Sequence, residues 1–364
     1  MTALAVCLAM LLPYAFWTMA SAMALAGRRR AATRLLGSDE PLTVVVCTAH
    51  EPRETLERCL VSLTAAMSDD DRLIVVTDHV EQSLTSWLQE RWEGDKRVCI
   101  VANTSPKGKK FAQRTGVSMA RTRAVATIDA DCHVGPAFLD TLRRSVPAGD
   151  FMLLLPVVMR GNGLLGRMIE MEFVCLQTIT AGSAILRHPT MANGAGMAFS
   201  RDLFVAHDQR LDIASGDDMF LLGHAIASGA KIDYAAHPDA LVETSAPPTI
   251  GAYVRQRARW LCKAGCYERS KGHGAVIALA WSVLAAVAAW PSGAALAAMG
   301  HMGWGGAAAV FGAKLTLDLL TYVAGRGLMR SGVGLWAAVP LEGAYPLMTA
   351  VVGLRAALRG RKGW

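Results

Sequence analysis

Three short β-branched runs that end in polar residues, LTVVVCTAH (42–50), RLIVVTDH (72–79) and RAVATIDAD (123–131), punctuate the middle of the chain. Between them lie segments such as PRETLERCLVSLTAAM (52–67) and GKKFAQRTGVSMARTR (108–123), whose apolar positions recur at helical spacing. A strand period giving way repeatedly to a helix period predicts alternating strands and helices. Strands joined by helical crossovers build a mostly parallel, doubly wound α/β sheet, which takes its ligand at the carboxyl ends of the strands. His50, Asp78, Asp129 and Asp131 all lie at such ends. Three strands thus aim polar groups at one crevice.

The pattern changes at both ends of the chain. Residues 1–27 carry no charged side chain and are long enough to cross a hydrocarbon core of about 30 Å. From Ala275 to about residue 355, Ala, Val, Leu, Gly and Trp again dominate, dividing into segments near 275–298, 302–324 and 333–354. Residues 40–270 hold most of the acids and read as a water-soluble domain between an N-terminal anchor and a C-terminal membrane region. Ala24-Leu25-Ala26 has the small residues of a signal-peptide cleavage site. No basic region precedes the apolar run, however, and Arg28, Arg29, Arg30 and Arg34 follow it. That charge order predicts an anchor whose soluble domain lies on the cytoplasmic face of the cell's inner membrane. Lys314 and Asp318, four apart inside the second C-terminal segment, are expected to pair across a helical turn. Pro340, Glu342 and Pro346 interrupt the third, which predicts a re-entrant or interfacial segment and two full spans.

Composition narrows the picture further. A chain of 364 residues with 52% hydrophobic content is too apolar for an ordinary soluble enzyme. The net charge of +7 comes from basic residues beside the apolar segments, where anionic headgroups would meet them, and no nucleic-acid-binding signature is present. The eight cysteines are scattered through apolar context, which predicts reduced thiols. Cys262 and Cys266 share a helical face, too few for a metal site alone. His188, His207, His224 and His237 lack metal-ligand spacing and read as structural or surface groups.

Four stretches carry candidate chemistry. In ATIDADCHVG (126–135) strand geometry would place Asp129 and Asp131 on one side, about 7 Å apart, where like charges repel unless a cation or a donor-rich ligand intervenes. A turn with two solvated acids is the plain alternative. ASGDDMFLL (214–222) offers two acids at a helix start, where Ser215 would serve equally as an N-cap. In YVRQRARWLCK (253–263), Gln256, Arg259 and Trp260 share one helical face, as they would on an interfacial helix. From Leu164 to Ile179 runs a Met-rich amphipathic helix, suited to a membrane surface or to the core.

In their order these stretches resemble the membrane-bound family-2 glycosyltransferases of the GT-A fold, a Rossmann-like α/β architecture, over roughly residues 40–265. VVVCTAHEP keeps the family's acid as Glu51, with His50 in place of the usual Asn. VVTDHVEQS carries Asp78, the match to the acid that holds the nucleotide base, and KGKKFA supplies Gly108, Lys109 and Lys110. The resemblance implies that Asp129 contacts the nucleotide sugar and that Asp131 ligates Mg²⁺ or Mn²⁺ on the diphosphate. It makes Asp218 the general base, with Asp217 replacing the usual Glu. It puts Gln256 and Arg259 on the donor diphosphate and Trp260 in the acceptor site, and NGAGMAFSR (193–201) matches the family's acceptor-side strand. The implied partners are a nucleotide-diphosphate sugar, a lipid or glycan acceptor and the membrane, with no nucleic acid. A single transfer to a lipid is the expected reaction. A processive polysaccharide synthase of the same superfamily and a non-catalytic membrane module are the alternatives.

Overall fold

The computed structural model describes residues 2–31, 40–207, 210, 211, 213, 216–264 and 273–359. In chain order its helices are α1 (Thr2–Ala9), α2 (Leu12–Ala31), α3 (Arg53–Ala66), α4 (Gln82–Trp92), α5 (Lys109–Met119), α6 (Phe138–Ser145), α7 (Gly163–Ile185), α8 (Arg201–Ala206), α9 (Asp217–Ser228), α10 (Ile250–Ala264), α11 (His273–Ala298), α12 (Trp304–Arg326) and α13 (Ala338–Arg359). Its strands are β1 (Leu42–Thr48), β2 (Arg72–Thr77), β3 (Val98–Ala102), β4 (Ala124–Asp129), β5 (His133–Val134), β6 (Phe151–Leu154), β7 (Val157–Arg160), β8 (Gly196–Ser200), β9 (Lys231–Tyr234) and β10 (Val242–Ser245). The chain forms two compact units that do not follow its order. Described residues within 31–158 and 191–245 make one, and those within 1–30, 159–190 and 246–364 the other. The stretch 40–270 is thus shared, since α7 and α10 group with the apolar helices.

The first unit is built on a seven-stranded sheet of order β3-β2-β1-β4-β8-β6-β9. Its first four strands run parallel, as the alternating pattern predicts. β8 then enters antiparallel to both β4 and β6, which makes the sheet mixed. That reversal matters for the site, because it brings the start of β8 against the end of β4, with Ile128 opposite Gly196. Leu56, Leu60 and Leu63 of α3 are fully buried, each contributing roughly 1.5–3 kcal/mol of transfer free energy. α5 lies close on β1 and β2, and a Cβ on its Gly116 would collide with the methyls of Val45 and Val76. A side chain there would lift the helix that carries Lys109.

Each of the three predicted strands stops two residues early, at Thr48, Thr77 and Asp129. Asp131 therefore sits in a turn, which Cys132 closes by donating its N–H to the Asp129 carbonyl at 3.0 Å. The alternation that would put both carboxylates on one face of a strand does not extend to Asp131.

The second unit holds the apolar helices. Among the described residues four helical stretches, Thr2–Arg28, Gly274–Ala298, Trp304–Arg326 and Leu335–Leu358, are long and apolar enough to cross a membrane. Pro13 divides the first into α1 and α2, since a proline there cannot donate back to the preceding turn. The third C-terminal segment is a continuous helix, against the interruption expected from its prolines. Pro340 falls in the first turn of α13, where a missing N–H is tolerated, and Pro346 is carried inside it. Lys314 pairs with Asp318 at 2.6 Å, as predicted, and also with Glu342 at 2.8 Å, while Tyr14 donates to Asp318 at 2.7 Å. The charges expected to be costly in lipid are thereby paired. α7 is buried almost all round, so the amphipathic helix of 164–179 is a core element. Its two buried acids are both engaged: Glu170 by Arg160 at 3.0 Å and Glu172 by Arg257 at 2.8 Å.

Candidate active site

In the sheet unit, four of the expected site residues, Lys109, Asp129, Asp217 and Asp218, converge at a strand end and two helix starts. Lys109, the first residue of α5, donates to Asp129 Oδ1 at 2.6 Å and lies 3.6 Å from Asp217 Oδ2. The same Asp217 oxygen accepts from Gln113 Nε2 at 2.9 Å. Asp218, next along α9, turns to different partners, accepting the Gly194 N–H on Oδ2 at 3.0 Å and its neighbour Met219 N–H on Oδ1 at 2.8 Å. Gly194 is held there by the antiparallel entry of β8, where Asp129 donates its N–H to the Ala195 carbonyl at 3.2 Å.

Asp78 fixes the loop before α5. It is buried, and its oxygens accept from Asn103 Nδ2 at 2.7 Å and from the Gly108 N–H at 2.8 Å. Gly108 has φ +145°, a conformation that side chains disfavour, which explains glycine at the head of the helix. Glu51 gathers the end of β1 in the same way. Its Oε2 accepts from Thr48 Oγ1 at 2.9 Å, the Ala49 N–H at 2.8 Å and the His50 N–H at 3.1 Å.

The acids of α9 are driven apart. Desolvation raises both, but the Lys109 charge and the Gln113 hydrogen bond hold the Asp217 carboxyl below the usual range. Desolvation and then the Asp217 charge push Asp218 up to about 6. Asp129 is raised by desolvation against the pull of Lys109. Lys109 itself, despite desolvation, is held well above its ordinary range by Asp129 and Asp217. The cluster thus contains one fixed anion and one carboxyl poised near neutrality, the arrangement that divides electrostatic and proton-transfer roles between neighbouring acids.

Asp131 differs from the rest. It is exposed, and among the described residues it accepts only from neutral groups, the Thr244 hydroxyl at 3.3 Å and the Cys132 thiol at 3.4 Å. A carboxylate with no ammonium or guanidinium partner fits a hard divalent cation. Among the described residues no group of three or more His, Cys, Asp and Glu could hold a metal ion, so the other ligands would have to come from a substrate and water.

Gln256, Arg259 and Trp260 lie on α10, in the helical unit. Arg259 and Trp260 are exposed, whereas Arg257, between Gln256 and Arg259, is buried. The described cysteines are all free, and Cys266 lies outside the described residues. So does Ser215; the N-cap of α9 is Gly216. Two contributors escaped the motif reading although their signals were present. Gln113 follows Lys109 by one helical turn and so shares its face. Asn103 ends the run RVCIVAN, which forms the unpredicted strand β3.

A family profile described as glycosyltransferase like family 2 matches residues 40–263. An N-acetylglucosaminyltransferase of Azorhizobium caulinodans is 24% identical over 242 residues, covering 60% of this chain and 59% of the relative. One from Mesorhizobium japonicum is 23% identical over 231 residues, 60% of this chain and 54% of the relative. The chain spans little more than half the length of these relatives. A mannosyltransferase of Pyrobaculum calidifontis, solved in complex with GDP-Man and Mn²⁺, superposes with a TM-score of 0.57 at 17% identity, covering 98% of both chains. That likeness carries the fold, which is α/β and GT-A-like with several apolar helices.

Proposed function

The chain belongs to the glycosyltransferase family 2, and on that premise we propose that it is an inverting transferase, moving a sugar from a nucleotide-diphosphate donor to a membrane-associated acceptor. A lipid hydroxyl or phosphate at the cytoplasmic face of the inner membrane is the acceptor that four membrane-length apolar stretches favour. The observation that carries the reading is the cluster of Lys109, Asp129, Asp217 and Asp218, in which Asp218 rises to about 6 beside an Asp217 held as an anion.

In the proposed reaction Asp218 takes the proton of an acceptor hydroxyl. The acceptor oxygen then forms its bond to the anomeric carbon as the bond from that carbon to the diphosphate breaks, inverting the configuration. A carboxyl with a value near 6 is largely ionised at neutral pH yet basic enough to share a proton in the transition state. Asp78 and Glu51 shape the loops that receive the nucleotide. Asp129 orients the donor sugar, and Lys109 can exchange its carboxylate partners for phosphate oxygens. Gln256 and Arg259 are assigned to the diphosphate, where a guanidinium engages two oxygens at once, and Trp260 to the acceptor. Asp131 would hold Mg²⁺ or Mn²⁺, which when bound supplies neutralisation of the charge that builds on the leaving diphosphate.

Two measurements test the reading. Purified protein, a panel of labelled nucleotide sugars and total membrane lipid should yield an organic-extractable product heavier by one sugar, read by mass spectrometry. A ladder of long water-soluble chains would make the protein a processive synthase, and absence of any nucleoside diphosphate release across the panel would leave it a non-catalytic module. The second is a pH profile. Wild-type kcat/KM should fall tenfold per unit below pH about 6 as Asp218 takes up its proton. Asp217→Asn removes the like charge beside it and should shift that limb to lower pH while transfer persists. A limb that stays in place assigns the titration to another group.

A further inference from the structure

The second position of the Gln-x-x-Arg-Trp stretch is filled by Arg257, to which the reading above gives no role. It is 8% exposed, and its Nη2 donates to Glu172 Oε2 at 2.8 Å. Glu172 is 7% exposed on α7 and also accepts from the Tyr253 hydroxyl at 3.0 Å and, more weakly, from that of Tyr345 at 3.4 Å. The guanidinium lies among aromatic rings, its Cζ 4.3 Å from the Trp260 centroid, 5.0 Å from that of Tyr253 and 5.7 Å from that of Phe173. Its Nε has no hydrogen-bond partner among the described residues. Its contact with Gln256 is long, at 3.4 Å. The group is thus held by charge through Nη2 and lies over the Trp260 ring.

Burying a guanidinium is expensive, and replacing a buried ion pair with apolar groups of similar size is often neutral or stabilising. Stability is therefore a weak reason for this pair to exist. What the geometry does deliver is a ring with a defined orientation. Trp260 is 39% exposed, and the Phe173 ring is 6.5 Å away at a tilt of 44°. A partly exposed indole with one loose ring contact would sample several rotamers. A desolvated cation over its face selects one.

We propose that Arg257 is a positioning residue, anchored by Glu172, that holds the Trp260 ring in a single orientation for binding the acceptor. The proposal rests on the assignment of Trp260 to the acceptor. It separates Arg257 from Arg259, its exposed neighbour two residues on, which is assigned to the donor.

Because Arg257→Met alone would strand a buried Glu172, the test uses Arg257→Lys and the double variant E172Q/R257M, which removes both charges together. The chain is labelled with 5-fluorotryptophan, and the Trp260 fluorine resonance is identified by its loss in Trp260→Phe. In both variants that resonance should shift and sharpen while those of the other tryptophans stay in place. In the transfer assay, the amount of membrane lipid extract giving half-maximal transfer should rise about tenfold in E172Q/R257M. Hydrolysis of the nucleotide sugar by water should stay within about twofold, and adding Trp260→Ala to the double variant should raise the lipid requirement little further. A Trp260 resonance that does not move, or a lipid requirement that does not rise, overturns the proposal. Absence of transfer by wild-type protein instead removes the transferase reading, and the fluorine spectra still decide whether Arg257 holds the ring.

Discussion

Asp218→Asn is expected to abolish sugar transfer, lowering kcat by about 10³-fold or more, while nucleotide binding stays within a few-fold of wild type. The reason lies in what the amide can still do. Asp218 receives two backbone donors, Gly194 N–H on one oxygen and Met219 N–H on the other. Asparagine keeps one acceptor oxygen and presents an NH₂ group to the remaining donor, which costs about 1–3 kcal/mol for the group left unsatisfied. Against that, a neutral side chain escapes both the desolvation and the Asp217 repulsion that raise Asp218. The two effects oppose each other, so the folded structure should survive with a modest change in stability. The lost basicity has no such compensation, because a primary amide does not accept a proton near neutral pH. Thermal unfolding and binding of the nucleoside diphosphate, measured alongside kcat, separate the cases. If Asp218→Asn turns over near wild type and Asp217→Asn is dead, the roles of the two acids are exchanged.

That choice between neighbouring acids marks the limit of what the sequence makes legible. Three of the four strands in the parallel half of the sheet were readable, because β1, β2 and β4 are β-branched runs flanked by helical spacing. β8 in GMAFS was matched as a strand, but its antiparallel insertion between β4 and β6 depends on long-range pairing that no local period encodes. Yet this insertion carries Gly194 to Asp218. The membrane-length helices were visible as long apolar runs, and the Lys314–Asp318 pair followed from spacing alone. Glu342 was misread as an interruption because its partner lies on another helix, 28 residues away. Asp217 and Asp218 differ only in what surrounds them. Lys109 reaches one of them because Gly116 lets α5 lie flat on the sheet, a fact about packing rather than about the DD dipeptide. Arg257 shows the same limit within α10, where a charged residue between motif positions is buried.

Asp131→Asn should lower transfer by roughly 10²-fold or more, since several kcal/mol of leaving-group stabilisation depend on a charged ligand and each 1.4 kcal/mol is a factor of ten. Asp131 differs in its surroundings from Asp129. Asp129 is already neutralised by Lys109 at 2.6 Å, whereas Asp131 is exposed and meets only a hydroxyl and a thiol. A single unneutralised carboxylate is a poor site for a bare divalent ion and a good one for an ion that arrives with a diphosphate. Two consequences follow for the unsubstituted protein. Mn²⁺ binding, followed by its electron paramagnetic resonance, should be weak alone and should tighten when nucleoside diphosphate is added. Chelator should stop transfer, with Mn²⁺ or Mg²⁺ restoring it. In Asp131→Asn the tightening by nucleotide should be lost, and saturating metal should recover only part of the activity. Asparagine at this position still accepts from Thr244, so the turn after β4 should hold and the unfolding temperature should change little. Full turnover in chelator, or nucleotide-dependent Mn²⁺ binding undiminished in Asp131→Asn, would remove Asp131 from the metal site and leave Lys109, Gln256 and Arg259 as the groups that stabilise the departing diphosphate.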